Sequence, residues 1–190
     1  MSEALIFDQQ FDNQDFKQPL LAKEYENCSF NNCQFESLDL NTIHFINCIF
    51  IECNLTNVKV KNTAFKSVSF RQCKMLGINF SICNPFLLEL SFSYCNLDFC
   101  SLYQLQLDNT KFSNCSLKDV DFVETSLCAA IFDSCDLYGA SFERTNLRMA
   151  DFVTSRNYSL DPEINFIKKA KFSTEGALGL LQKYGIEIVR

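Results

Sequence analysis

Residues 132–152 read FDSCDLYGASFERTNLRMADF, and every fifth position in that stretch is Phe or Leu: Phe132, Leu137, Phe142, Leu147 and Phe152. Two positions before each stands a small residue: Ala130, Cys135, Ala140, Thr145 and Ala150. A period of five matches neither common element, because a helix repeats its buried face every ~3.6 residues and a strand alternates every ~2. On an α-helix these large residues would spread around the whole circumference, and on a flat strand they would divide between two faces. A chain that turns a corner every five residues avoids both outcomes. Each side sends one large and one small residue inward, and four sides close a square. Such a coil gains a core only by stacking on its neighbours, which makes a solenoid.

The register extends along the chain. Large central residues recur from position 25 to Phe80 and again from Phe92 to Phe152, the second run shifted by two residues within SICNPFLLELS, 81–91. With four pentapeptides per coil, residues 20 apart stack, or 22 apart across the shift. One column then reads Phe30, Phe50, Phe70, Phe92, Phe112, Phe132 and Phe152. The next reads Phe35, Leu55, Met75, Leu97, Leu117 and Leu137, and a third reads Leu40, Val60, Phe80, Leu102, Phe122 and Phe142. This coherence predicts a 20-residue coil, with the two extra residues bulging outward. Adding Phe11 and Phe16 gives about seven coils, a rod on the order of 34 Å long at ~4.8 Å per stacked strand. Flat rings in one line are expected to pack offset, one above another.

The segments CDLYG, ASFER, TNLRM and ADFVT resemble pentapeptide repeats, and the motif runs over roughly residues 25 to 152. The resemblance implies an all-β solenoid of the right-handed quadrilateral β-helix type. It places the repeat domain at 1–155, with 1–24 as an N-terminal cap and irregular first coil, and a C-terminal dimerisation or cap segment at 156–190.

Composition fits one domain: the chain has 190 residues, 20 Phe, 11 Cys, no Trp, and only 5 Gly and 3 Pro. No apolar run approaches the length of a membrane span, and MSEALIFDQQ lacks a basic start followed by an apolar core, so a cytoplasmic location is expected. A net charge of −6 argues against direct phosphate-driven nucleic-acid binding and suits a basic partner. Cys33, Cys53, Cys73, Cys95, Cys115 and Cys135 share one small-residue column. Cys28 and Cys48 begin another, continued by Val68, Leu90, Thr110, Ala130 and Ala150. A slot that accepts Cys, Val, Ala and Thr is a small buried slot, and free Cys fills it as a small hydrophobe. Stacked neighbours approach disulfide distance, but thiols stay reduced in a cytoplasmic chain. Cysteines five apart stand on different walls and the sole histidine is His44, so no metal and no cofactor are expected. There is no phosphate-binding Gly-rich loop, nucleophile elbow or metal-binding helix motif, and a filled core leaves no substrate cavity; the chain reads as a non-enzyme.

After Phe152 the repeat ends in the expected reading. Asp161 before Pro162 starts a turn, and Ser173 caps an α-helix over about 174–184 with Ala177, Leu178, Leu181 and Tyr184 on one face. Gly185 stops it, and IEIV, 186–189, forms a short strand. This tail resembles the one in Qnr quinolone-resistance proteins, their mycobacterial counterpart and the microcin B17 immunity protein, where it makes a two-fold dimer. That resemblance implies a homodimer joined through Leu178, Leu181, Tyr184, Ile186 and Ile188. It also implies a DNA mimic that binds DNA gyrase or topoisomerase IV and modulates it or protects it from a quinolone or toxin. The alternative is an interaction scaffold with another partner.

The charge distribution allows a comparison. Residues 1–52 hold nine acids against Lys17 and Lys23; residues 53–88 hold no acid but Lys59, Lys61, Lys66, Arg71 and Lys74; residues 89–163 hold twelve acids and five bases. A C-terminally joined dimer would be acidic at its centre, through Asp119, Asp121, Glu124, Asp133, Asp136, Glu143 and Asp151. Most of these flank inward residues and are expected to face solvent. The basic belt departs from uniform mimicry, and the long projecting loops of many Qnr proteins are absent.

Overall fold

The computed structural model describes residues 5–17, 20, 22–187 and 189. Its strands are short: β1 Leu5–Phe7, β2 Gln10–Asp12, β3 Glu24–Glu26, β4 Ser29–Asn31, β5 His44–Ile46, β6 Ile49–Ile51, β7 Ala64–Lys66, β8 Val68–Arg71, β9 Leu90–Ser93, β10 Lys111–Ser113 and β11 Ile131–Asp133. All pairings are parallel. One sheet runs β1-β3-β5-β7 and the other β11-β10-β9-β8-β6-β4-β2. The second sheet contributes one strand per coil, so six full turns separate the first and last of its seven strands. Single bridges carry the same ladder onward, Ile131 to Asp151 and Asp151 to Lys171.

The square section has four faces. The first is centred on Tyr25, Phe45, Phe65, Leu107, Leu127 and Leu147, and the second on the phenylalanine column. The third is centred on Phe35, Leu55, Met75, Leu97, Leu117 and Leu137, and the fourth on Leu40, Val60, Phe80, Leu102, Phe122 and Phe142. All of these residues are buried. Consecutive rings of the second face stack at 4.7 Å (Phe30 on Phe50), 5.1 Å (Phe50 on Phe70) and 5.5 Å (Phe70 on Phe92), each pair within 18° of parallel. The column is longer than the sequence reading made it. Phe11 stacks under Phe30 at 4.9 Å, and Phe172 covers Phe152 at 5.5 Å.

The two-residue insertion leaves the stack intact. Ala64 bridges Asn84, 20 positions on, whereas Val68 pairs with Leu90, 22 positions on. The surplus therefore falls at 85–89, where Phe86 and Leu87 stand exposed. The first coil has the opposite irregularity. Phe11 pairs with Phe30, a step of 19, so this coil is one residue short.

Each corner is made by the second residue after a central one, held in the left-handed region. Asn27, Asn32, Asn47, Asn57, Asn62, Asn109 and Asn114 all have φ between 49° and 62°. Asn tolerates that region better than most side chains, which accounts for its recurrence at this position. Gly77 and Gly139 occupy two of the same corners, and a Cβ on Gly139 would lie 2.2 Å from Asp119 Oδ1 in the coil below.

The C-terminal segment differs from the expectation. The parallel ladder passes the 155/156 boundary through Asp136–Arg156, Asn146–Phe166 and Asp151–Lys171. No α-helix follows. The chain forms 3₁₀ turns at Gly176–Leu180 and Gln182–Tyr184. The reason is close packing on Tyr158: a Cβ at Gly176 would lie 1.8 Å from its hydroxyl, and one at Gly179 would lie 2.2 Å from its carbonyl oxygen. Two glycines in so short a segment also weaken α-helical propensity. Glu175, not Ser173, is the N-cap of the first turn, although Ser173 Oγ accepts from Gly176 N at 2.9 Å, and Gly185 stops the second turn at φ 59°. Ile186 and Glu187 are not in a strand, and Ile188 lies outside the described residues.

Candidate functional site: the outer surface of the rod

Among the described residues the interior is filled by the stacked side chains. A void of about 10 Å³ lined by Leu55, Phe65, Phe70 and Met75 is at the lower limit of what one water needs. All eleven cysteines are free, and all but Cys128 are buried. Their slot is more specific than a small apolar one. Cys53 Sγ donates to the carbonyl of Phe30 in the coil below at 3.2 Å, and Cys100 Sγ to that of Met75 at 2.9 Å. Thr63, Thr125, Thr145 and Ser155 make the same bond with their hydroxyls. The position therefore accepts a small side chain with a donor as well as alanine and aliphatic residues such as Val68 and Leu90. Burial pushes the Cys48 and Cys100 thiols up to about 12, so they stay protonated at neutral pH.

The polar and charged side chains stand on the outward positions flanking each central residue. The seven carboxylates of the expected acidic surface occupy three faces, not one. Asp119 and Asp121 straddle buried Val120 at the corner of the third and fourth faces. Glu124 and Glu143 lie on the fourth face, Asp136 on the third, and Asp133 and Asp151 on the second.

Four of the seven are ion-paired, mostly with a base one coil away. Glu124 is 2.7 Å from Arg144, Glu143 is 3.8 Å from the same guanidinium, and Asp151 is 3.1 Å from Lys171. Asp136 lies 3.7 Å from both Lys118 and Arg156, with only 15% of its side chain exposed. The free solvent exposure expected for Asp136 is thus not found: stacking puts long side chains from adjacent coils over it. Gln104 and Arg144 together hold the Glu124 carboxyl below its ordinary range. Partial desolvation pushes the Asp136 carboxyl up, but the Asn157 amide, the Tyr138 N–H, Lys118 and Arg156 outweigh it and hold it low. Asp119, Asp121 and Asp133 make no ion pair among the described residues. Asp121 accepts from Ser101 Oγ at 3.2 Å and Val123 N at 2.9 Å, and Asp133 accepts from Thr154 Oγ1 at 3.0 Å.

The basic belt encircles the rod: Lys59 and Lys61 on the fourth face, Lys66 on the first, Arg71 on the second and Lys74 on the third. Four of its five members are exposed, and none is ion-paired among the described residues. Lys66 lies 5.5 Å from the centre of the Phe86 ring. His44 is half-buried with Nδ1 3.4 Å from Glu24.

At the C-terminal end Leu178, Leu181, Tyr184 and Ile186 are exposed, while Gly179 is buried. A 3₁₀ turn repeats every three residues, so Leu178, Leu181 and Tyr184 still share one side. The turn is latched to the rod by Lys183, 2.6 Å from Asp161 and 2.8 Å from Glu163, and by the Tyr184 hydroxyl donating to Glu163 at 2.9 Å.

Comparison with known proteins agrees with this geometry. Two family profiles match, one described as a pentapeptide repeat region over residues 23–85 and one as pentapeptide repeats (8 copies) over 91–127 and 121–156. Curated proteins yield no match. Among solved structures, trypsin-treated QnrB1, a plasmid-mediated fluoroquinolone resistance protein, is 19% identical at a TM-score of 0.47, covering 98% of this chain and 100% of its own. HetL, a pentapeptide repeat protein involved in heterocyst differentiation regulation in Nostoc sp., is 14% identical at 0.49, covering 90% and 88%. A pentapeptide repeat protein of the Arabidopsis thaliana thylakoid lumen is 16% identical at 0.26, covering 78% and 68%. Among the described residues no helix is long and apolar enough to cross a membrane. With a 20-residue coil, four-sided stacking and repeat profiles over most of its length, the chain belongs to the pentapeptide-repeat family and adopts that family's right-handed quadrilateral β-helix.

Proposed function

We propose that this protein is a non-enzymatic, cytoplasmic DNA mimic. Its partner is a type II DNA topoisomerase, gyrase or topoisomerase IV, which it modulates or shields from a quinolone or toxin. It acts as a homodimer joined through the C-terminal turn, with Leu178, Leu181, Tyr184 and Ile186 in the contact. The observation that carries the reading is a stiff rod bearing carboxylates on its outward positions, of which Asp119, Asp121 and Asp133 are not neutralised by a base. A negative surface of this kind steers the rod toward a basic DNA-binding groove. Asp119, Asp121, Glu124, Asp133, Asp136, Glu143 and Asp151 form the proposed topoisomerase-facing surface, with the first two and Asp133 supplying its uncompensated charge.

The test is a purified gyrase supercoiling assay, with and without a quinolone, titrated with wild-type protein and with Asp119→Asn, Asp121→Asn, Asp133→Asn combined. The triple variant keeps shape, removes three charges per subunit and weakens the effect; raising salt weakens the wild type through screening. No effect of the wild type on supercoiling at tens of micromolar refutes the reading. A scaffold for a different, acidic partner is the second reading, and the unpaired belt of Lys59, Lys61, Lys66, Arg71 and Lys74 favours it.

A further inference from the structure

Across β8, β9 and β10 four of the six outward side chains of the second face are serine. Ser69, Ser91 and Lys111 stand in register before the buried rings, and Arg71, Ser93 and Ser113 stand in register after them. The four small hydroxyl residues leave a depression in the face, lined together with Arg71 and Lys111. Larger residues bound it, Ile49 and Ile51 in the coil below and Ile131 and Asp133 in the coil above. Ser113 Oγ is screened from solvent and has no hydrogen-bond partner, and Ser69, Ser91 and Ser93 make no side-chain hydrogen bond among the described residues. Ser113 Oγ is thus a buried donor without an acceptor, and the other three hydroxyls face solvent, where a ligand can replace water.

The charges match. Arg71 and Lys111 sit at diagonally opposite corners of the depression, their rows two strand spacings or roughly 10 Å apart, and neither is ion-paired among the described residues. Five bases of the C-terminal coils behave otherwise: Lys118, Arg144, Arg156, Lys171 and Lys183 each reach a carboxylate, while Arg148, Lys168 and Lys169 do not among the described residues. Nearby acids are hydrogen-bonded but keep their charge. Glu89 and Asp108 line the adjoining depression, which shares Ser69, Ser91 and Lys111 with this one. Glu89 accepts from Ser67 Oγ, and Asp108 from Ser126 Oγ and Cys128 N. Asp133 accepts from the Ser134 and Thr154 hydroxyls.

The geometry points to a binding site for a phosphate dianion, free or as a small monoester, that nothing in the repeat architecture requires. Arg71 supplies a two-pronged donor to two phosphate oxygens, Lys111 supplies a point charge from the opposite side, and the serine hydroxyls donate to the oxygens that remain. A patch of small hydroxyls between two uncompensated bases excludes apolar ligands and cations and suits a compact oxyanion. The proposal is independent of any topoisomerase partner.

The test uses the full ¹⁵N-labelled chain, titrated with inorganic phosphate, with O-phosphoserine, and with sodium chloride at matched ionic strength, while amide shifts are followed. The expected result is saturable shifts centred on the amides of 69–71, 91–93 and 111–113 with phosphate or phosphoserine and none with chloride. Arg71→Ala with Lys111→Ala weakens the binding at least tenfold. Lys61→Ala, which removes an equally unpaired base from another face, leaves it unchanged. Tighter binding of phosphoserine assigns a monoester and tighter binding of phosphate assigns the free ion, and either supports the site. Non-saturating shifts shared with chloride, shifts centred elsewhere, or an equal loss in Lys61→Ala would overturn it.

Discussion

Replacing Phe70 by alanine tests the packing argument at its most demanding point. Phe70 is 1% exposed and lies between Phe50 at 5.1 Å and Phe92 at 5.5 Å, the latter across the two-residue insertion. Phe65 meets its edge at 6.2 Å. Truncation uncovers on the order of 100 Å² of apolar surface, worth about 2.5 kcal/mol at ~25 cal/mol per Å². A residual cavity of roughly 80 Å³ adds about 2 kcal/mol at ~24 cal/mol per Å³. The cavity cannot close easily, because the rings above and below are held at strand spacing by β6 and β9, which pair with β8 on both sides. A loss of about 4.5 kcal/mol is expected, in the upper part of the range for buried Phe→Ala. The control is Phe99→Ala, at a corner where the ring is 66% exposed, with an expected loss below about 1 kcal/mol. Urea unfolding followed by circular dichroism and tyrosine fluorescence measures both. Coincidence of the two probes checks that the rod unfolds as one unit, since long repeat arrays lose that property. Equal losses at the two positions, or a loss under about 1.5 kcal/mol for Phe70→Ala, would refute the stacked-ring account.

Three further outcomes follow from the same structure. Leu178→Glu with Leu181→Glu places charge on the proposed dimer contact, so light scattering reports a monomer with the β-type dichroism retained; a wild type already monomeric at micromolar concentration removes the dimer. In native protein near pH 8 a thiol reagent modifies Cys128 first and the ten buried cysteines only on unfolding, and uniform rapid reaction of all eleven contradicts the burial described. Because the Asp136 carboxyl is held below its unfolded value, its contribution is present above the ordinary carboxylate range and is lost as pH falls through the lowered value. The melting-temperature gap between wild type and Asp136→Asn should therefore narrow from about pH 5 to pH 2, and a gap independent of pH would mean that the ion pairs to Lys118 and Arg156 contribute nothing.

How far the sequence could be read depends on the one-dimensional character of a solenoid. Every inward side chain has its neighbours at offsets of 5 and 20, so a column of like residues in the sequence is a column in space. That is why Phe30 to Phe152, the cysteine column at 33 to 135 and the outward bulge near Pro85 were legible from spacing alone. The same offset also held a signal that spacing did not exploit. Glu124 and Arg144, Asp136 and Arg156, and Asp151 and Lys171 are each 20 apart, and each pair meets across one coil step. Counting charges by segment treats such carboxylates as free, and pairing them by coil does not. Phe172 at the end of the ring column was likewise 20 from Phe152, but the departure of VTSRNYSL from the motif hid it.

Other features were decided only in three dimensions. The segment after Ser173 has the apolar spacing and cap of an α-helix, yet contact of Gly176 and Gly179 with Tyr158 tightens it into 3₁₀ turns, and no local pattern encodes that contact. The outward residues escape the logic of the period because solvent imposes no repeat on them. Whether a charge stands free, as at Arg71, or is covered, as at Asp136, depends on which long side chains the adjacent coils lay over it. The sequence by itself determined the coil, its four walls and their contents, since burial at a fixed step is a property of spacing. The tertiary structure alone decided which surface charges are compensated and where hydroxyls are left without partners, because those depend on rotamers meeting between coils.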